Sequence, residues 1–527
     1  MGGIKMAELE LQKENIEYEQ FLGQGTSDAV VRGEFLIPDT HPDVLEILML
    51  DVRPVISNKE VMQDKVYVEG QLNYNVLYLA REDENMGVHS VNYSDKFSSY
   101  IDISGVEYRM NCEIECYVEH INSSIINERK IGVEGILTIR SDVFNNCNIP
   151  IVRDIIDSDE IQTLKNPAEV DRLVCRDEFE MPFSSNVQIP MDKPQIDKIL
   201  KQDLNIHKQD ITLSEGKVNI SAFVKIDTVY RTKDSQELYT VQDDVYVNKE
   251  FEVGSVNDSM MCLNKFNIGG IEIQVEENDL GENRILNLDS KIVVDASIIT
   301  KEQYDVIEDA YSPKSIIEID KEKYKLNVLH GHNSTEIIVK DNIELSKDEP
   351  LPVQILTTKG NVIITDKKII DNKLMIDGVV KVNVLYKNNV EDKCGYSNIS
   401  EELPFSTFLE IQNIKEDMQF IVKSMLESIE ASIEANTIAV KAIIHVCGYV
   451  MYSISKDILT SVNKKDEVKP EKKASLTIYI VQPGDNLWSI AKHYSTTVEQ
   501  LISLNGIDPI QLIKPGDKLL IPGRALI

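Results

Sequence analysis

One strand pattern, written three times, constrains this chain more than any other feature. Lys65 to Tyr78 (KVYVEGQLNYNVLY) aligns without gaps on Lys217 to Tyr230 (KVNISAFVKIDTVY) and on Lys373 to Tyr386 (KLMIDGVVKVNVLY). The copies begin at 65, 217 and 373, offsets of 152 and then 156, so the repeating unit is domain-sized. The same offsets hold upstream, where Pro42, Ile47 and Leu48 align with Pro194, Ile199 and Leu200 and with Pro350, Ile355 and Leu356. Copies one and two share Ile37-Pro38 and Ile189-Pro190, and Gly23 and Val31 recur as Gly331 and Val339, which makes the second copy the most divergent.

Inside each copy the apolar residues alternate, as in Val66, Val68, Leu72, Val76 and Tyr78 or Leu374, Ile376, Val380, Val382 and Val384. That period of two buries one face of a strand and wets the other. Arg129 to Arg140, Arg284 to Ile299 and Thr437 to Val446 add later strands rich in β-branched residues. The stretch Asp43 to Leu48 instead has apolar residues at helical spacing behind a proline, which predicts one short helix. The fold class is therefore mainly β. Three tandem antiparallel β-rich units, each a sandwich or open barrel, span 1–157 (with an N-terminal extension), 158–314 (the divergent copy) and 315–458, followed by a small C-terminal βααβ module.

Residues 459–475 break the pattern, ending in the lysine-rich VNKKDEVKPEKKAS, and are expected to form a charged flexible linker. With 55 Lys plus Arg against 88 Asp plus Glu, the chain carries a net charge of -33 at a pI near 4.7. From Lys464 onward basic residues slightly outnumber acidic ones, so the whole acidic excess lies in the β body. Such a body repels phosphate backbones and anionic lipid, which disfavours nucleic acid and membrane as partners. The first residues, MGGIKMAELELQKENIEYEQ, lack the apolar core of a secretory signal, and no run of 18 apolar residues occurs. A cytosolic protein without direct membrane insertion is expected. Met6 stands where a myristoylation signal needs Ser or Thr.

Catalytic patterns are sparse. His445 and Cys447 fall two apart in a strand and could share a face, but a packed strand accounts for them. His330-Gly331-His332 lacks a third metal ligand at recognisable spacing. There is no GxxxxGK[ST] phosphate loop, and of seven cysteines only Cys112 and Cys116 are close, without a CxxC pair. We expect no enzyme, no cofactor, no metal site and free buried thiols.

The module at 476–523 is more informative. Thr477 to Gln482 alternates as a strand, Pro483-Gly484-Asp485 turns, and Asn486 can cap a helix carrying Leu487, Ile490 and Ala491 on one face. Thr497 with Gln500 fits a capping box for a second helix, whose apolar residues are Val498, Leu501 and Ile502 and whose end is Asn505-Gly506. Pro515-Gly516 then turns into a strand, Lys518 to Ile521, that can pair with the first.

Tyr479-x-Val481-x-x-Gly484-Asp485-x-Leu487-x-x-Ile490-Ala491, with Asn505 and Gly516-x-x-Leu519-x-Ile521-Pro522, resembles a LysM domain over the whole module. Asn486 stands where family members usually have Thr or Ser, a change that keeps the cap. The resemblance implies binding of N-acetylglucosamine polymers in a groove lined here by Gly484, Asp485, Asn486, Leu487 and Trp488 against Ile507, Asp508, Pro509 and Ile510. Trp488, the single tryptophan, is the strongest candidate, because an aromatic face serves a sugar ring or a protein interface equally; it could also be a core residue of the first helix. Asp485 could equally be a turn residue.

Three β units with one C-terminal LysM resemble the SPOCS family, spore coat-associated proteins of endospore formers. That resemblance implies a mother-cell adaptor at the forespore surface whose LysM domain binds the coat-basement ATPase, stage IV sporulation protein A, and helps the coat encase the forespore. The competing expectation is a peptidoglycan-binding protein of cortex or wall.

Overall fold

The structure, a computed structural model, describes residues 6–82, 85–156, 160–233, 235–346, 349–390, 393–468, 475–508 and 513–523. After a three-residue strand β1 (Met6–Glu8), the first unit comprises β2 (Leu11–Leu36), β3 (Val44–Met62), β4 (Lys65–Glu82), β5 (Asn85–Asp102), β6 (Asn111–Asn127) and β7 (Lys130–Ile155). The second runs β8 (Gln162–Gln188), β9 (Ile196–Ser214), β10 (Lys217–Thr232), β11 (Leu238–Glu252), β12 (Met261–Ile268), β13 (Glu272–Glu277) and β14 (Asn283–Tyr311). The third runs β15 (Ser315–Glu344), β16 (Pro352–Ile370), β17 (Lys373–Val390), β18 (Lys393–Glu410), β19 (Gln419–Glu434) and β20 (Thr437–Val468).

All three units share one topology. The middle strands form a three-stranded antiparallel sheet (β3-β4-β5, β9-β10-β11, β16-β17-β18), and the first, last and fifth strands form a second one. The sheets face each other over cores such as Val66, Val68, Leu72, Val133, Leu137 and Ile139, so each unit is a sandwich. The repeated sequence is the central strand of the first sheet: in β10 every second residue from Val218 to Val224 is fully buried. Each such valine or isoleucine side chain contributes roughly 1.5–3 kcal/mol by leaving water.

The expected helix after Pro42 is a strand. β3 starts at Val44 and carries β-bulges at Leu45 and at Leu48, where two of its residues oppose one of β4. The third unit repeats both bulges, at Val353 and Leu356, and the second repeats them at Asp197 and Leu200. Each extra residue breaks the period of two, which produces the apolar spacing that mimics a helix. The bulges also re-aim Leu48, Leu200 and Leu356 into one cluster shared by all three units, together with the equivalent Leu77, Val229 and Leu385. The first two repeats also share a pairing in the same region, since the Tyr78 and Tyr230 hydroxyls donate to the carbonyls of Pro42 and Pro194 at 3.2 and 3.3 Å.

Equivalent residues of the three copies thus meet one another, which is a pseudo-threefold arrangement within one chain. At the other end the long first and last strands converge. Ile16 with Ala168, and Tyr18 with Val170 and Leu326, bury against Ile151, Val306 and Ile458. Between these cores Asp51, Asp203 and Lys359, again at equivalent positions, form a charge cluster with Lys201 on the wall of a cavity of about 400 Å³. Strand β1 pairs with β20, Glu8 opposite Asn463, and so ties the first unit to the third.

The linker expected at 459–475 is corrected over its first part. Leu459 to Val468 continue β20 and pair with β15, with Leu459 and Val462 fully buried. The lysines there are compatible with a strand because their ammonium groups pair with acids, Lys464 with Glu160 and the adjacent Lys465 with Glu318. Residues 469–474 lie outside the described residues.

Candidate functional site

The C-terminal module is built as β21 (Leu476–Ile480), α1 (Leu487–Tyr494), α2 (Val498–Asn505) and β22 (Lys518–Pro522), with the two strands antiparallel. Val481, Ile490, Ala491, Leu501, Leu519 and Ile521 form its core. Asn486 caps α1 by accepting from the Ser489 amide at 2.7 Å, while the Ser489 hydroxyl accepts from the Asn486 amide. Thr497 caps α2 in a box with Gln500, and Gly506 closes it at φ +59°. Asn505 does more than end the helix: its side chain donates to the Leu520 carbonyl at 2.7 Å and accepts from the Leu520 amide at 2.6 Å, joining α2 to the last strand.

Among the groove candidates, Asp485 accepts from the Tyr479 hydroxyl at 2.6 Å and the Gln482 amide at 2.8 Å. The Tyr479 hydrogen bond, then that of Gln482, holds its carboxyl below the ordinary range, so its charge organises the turn. Gly484 beside it sits at φ +91°, a backbone that favours glycine, with open space where a side chain would be. Asn486 is committed to the cap. Leu487 and Ile507 lean on the core of the module, Asp508 is exposed, and Pro509 and Ile510 lie outside the described residues.

Trp488 is the candidate with the most informative surroundings. Its indole Nε1 donates to Asp309 Oδ2 at 2.8 Å, and its ring meets Tyr311 edge-on with centroids 4.8 Å apart. Lys492, one turn along α1, places its ammonium 2.7 Å from both Asp309 oxygens, and the Tyr311 hydroxyl donates to the Thr496 carbonyl at 2.8 Å. Asp309 and Tyr311 belong to the end of β14, so the module is docked on the second unit. A bulge at Glu308 makes this possible, because it leaves Ile307 and Ala310 buried on one face and turns Asp309 and Tyr311 to the other. Burial alone raises the Asp309 carboxyl, but the hydrogen bonds from Lys492 and Trp488 more than offset it and keep the group ionised below its usual range. Sequence reasoning missed Asp309, Tyr311 and Lys492; the first two lie beyond the strand expected at Arg284 to Ile299.

Other candidates sit in strands. His445 and Cys447 share a face of β20, and burial pushes the Cys447 thiol up, away from the thiolate a nucleophile needs. His330 donates to the Gln412 carbonyl at 2.6 Å and His332 stacks on Tyr449. Among the described residues no group of three or more His, Cys, Asp or Glu is placed to hold a metal ion, and no helix is long and apolar enough to cross a membrane. Burial likewise pushes the Cys116 and Cys262 thiols up to about 12.

Comparison with known proteins adds to this geometry. The family profile described as SipL, SPOCS domain matches residues 43–126, 195–276 and 353–434, which in the structure are β3 to β6, β9 to β13 and β16 to β19, the strands between the long first and last strand of each unit. The LysM domain profile matches 479–522. Over 49 residues the chain is 47% identical to the N-acetylmuramoyl-L-alanine amidase sle1 of Staphylococcus epidermidis, covering 9% of this chain and 15% of that protein, over the LysM region alone. Over 45 residues it is 47% identical to YdhD of Bacillus subtilis, named as a sporulation-specific glycosylase, covering 8% of this chain and 10% of that protein. No solved structure matches. With three SPOCS domains forming the pseudo-threefold body and one LysM domain docked on it, this chain is a SPOCS-domain LysM protein, the domain content of a sporulation coat-associated protein.

Proposed function

We propose that this chain is a non-enzymatic adaptor of spore coat morphogenesis that works in the mother-cell cytoplasm at the forespore surface. Its LysM domain binds the coat-basement ATPase, stage IV sporulation protein A, while the threefold body holds that domain at a fixed place in the growing coat. The observation that carries this reading is the surrounding of Trp488: the aromatic side chain that a sugar-binding module would offer to a glycan here engages protein groups, the carboxylate of Asp309 and the ring of Tyr311. Indole, ammonium and a backbone carbonyl arranged around a protein segment are the elements of a protein interface hot spot. Partner contact then involves Trp488 together with the turn at Gly484 to Leu487 and the segment from Ile507 to Ile510.

A second reading draws support from the amidase relative, whose name implies work on the cell wall: the LysM domain binds peptidoglycan of cortex or wall. Both are tested on the full chain, using pull-down with the purified ATPase and co-sedimentation with purified peptidoglycan. The adaptor reading expects saturable ATPase binding that is lost when 476–527 are removed. Sedimentation with peptidoglycan without ATPase binding overturns it in favour of the glycan reading.

A further inference from the structure

The dock between the LysM domain and the body is narrow. Of the buried apolar residues clustered around the LysM core, the body supplies Tyr311 alone. The polar contacts come from Asp309, two positions earlier, so two side chains of one strand end account for the recognition described here. In an extended segment, residues i and i+2 project to the same side, and that is how Asp309 and Tyr311 reach α1 past the buried Ala310. The receiving surface is equally defined: the Trp488 N–H and the Lys492 ammonium converge on one carboxylate, the Trp488 ring takes an aromatic edge, and the Thr496 carbonyl takes a hydroxyl.

We infer that the α1 face of the LysM domain is a receptor for an extended acidic-x-tyrosine segment, held in cis by Asp309-Ala310-Tyr311, and that a partner protein presenting the same chemistry replaces it. This rests on reading the domain as a protein-recognition module. Because the cis segment belongs to the same chain, its effective concentration is high, of millimolar order for a short connection. A partner segment of ordinary affinity therefore displaces it only where that partner is dense, as on an assembled surface. A face held through two side chains is also exchangeable, since small interfaces are weak and transient.

Trp488 is the only tryptophan, so its emission reports the dock directly in the full chain. The probe is a synthetic peptide of residues 305–315, DVIEDAYSPKS. In the wild-type chain Trp488 is shielded from acrylamide, and the peptide changes nothing. Asp309→Lys, which faces Lys492 and Lys321 with a like charge, raises the quenching constant at least about twofold. Added peptide then restores shielding saturably, whereas a peptide with alanine in place of its Asp309 and Tyr311 does not. The double variant Asp309→Lys with Lys492→Glu regains shielding without peptide, and circular dichroism confirms an unchanged body throughout. Unchanged quenching in Asp309→Lys and in Tyr311→Ala, or failure of the opened chain to bind the peptide, overturns the inference. Because the probe contains no coat protein, these outcomes are independent of whether the ATPase is the partner.

Discussion

Lys359 and Asp51 face each other at 2.6 Å from repeats that begin 308 residues apart, and at the corresponding position of the middle repeat stands Asp203, 3.3 Å from the same ammonium. Lys201, with a side chain only 1% exposed, closes the cluster by donating to both carboxylates. One sequence position thus carries Asp, Asp and Lys in the three copies, and the charges cancel only because the copies differ.

Removing Lys359 leaves two half-buried carboxylates sharing the single Lys201 ammonium, so Lys359→Met is expected to cost up to about 3–5 kcal/mol. Burial alone raises the Asp51 carboxyl, but Lys201 and Lys359 overcome it and hold it far below the usual range; burial lowers Lys359, yet Asp203 and Asp51 raise it on balance. A depressed acid contributes stability that is present above its unfolded value, about 3.9, and lost as pH falls through the folded one. The raised lysine contributes below about 10.4 and loses it as pH rises through its folded value. Urea unfolding should therefore show a wild-type advantage over Lys359→Met that is flat between about pH 5 and 9 and shrinks in acid. An advantage that grows toward low pH contradicts the assignment.

The bulged leucines make a second prediction. Leu200 is 2% exposed at the point where the three units meet, and Leu200→Ala should cost about 2–5 kcal/mol by transfer and cavity terms. Val30→Ala, at a position 79% exposed, should stay within about 0.5 kcal/mol of wild type. Equal midpoints for the two variants in thermal unfolding would place Leu200 outside any shared core.

What could be read from the residues alone follows physical range. The caps at Asn486 and Thr497 were legible because the partners lie three positions on, and the repeat was legible because Val66, Val218 and Leu374 all sit at the same fully buried position of a central strand. The Asp43 to Leu48 stretch misled because a bulged strand and a short amphipathic helix place apolar residues at similar spacing. The threefold convergence of Leu48, Leu200 and Leu356 depends on contacts across more than a hundred residues, which no local period encodes. The same holds for Trp488, whose partner Asp309 lies 179 positions upstream in a strand end that the hidden bulge at Glu308 turns outward.

Within the LysM domain, Asn505 should be the residue on which closure of the last strand depends. Asn505→Ala removes two hydrogen bonds to Leu520 and one to the Leu501 carbonyl, a loss of roughly 1–3 kcal/mol. The loss should be local, so amide exchange at Leu520 accelerates while amides of β4 and β17 keep their protection. Uniform acceleration across the body would mean that the module and the body unfold as one unit.

A last prediction uses the natural variation among the copies. Gly70 pairs across the strands with Phe97, and Gly378 with Phe405; at the equivalent site the middle copy pairs Ala222 with Val247. A methyl group on Gly70 would come within 2.5 Å of the Phe97 ring and 2.6 Å of the Val55 carbonyl, and Gly378 is confined in the same way by Phe405 and Ile363. The glycine therefore makes room for the ring, which covers it, and the smaller valine lets the middle copy carry a methyl. Gly70→Ala should be destabilised by about 1–3 kcal/mol through overpacking. Combining it with Phe97→Val, which copies the middle unit, should recover part of that loss, so the double-mutant cycle gives a favourable coupling between the two changes. Full additivity would show instead that the Val55 carbonyl, which Phe97→Val leaves in place, is what excludes the methyl group.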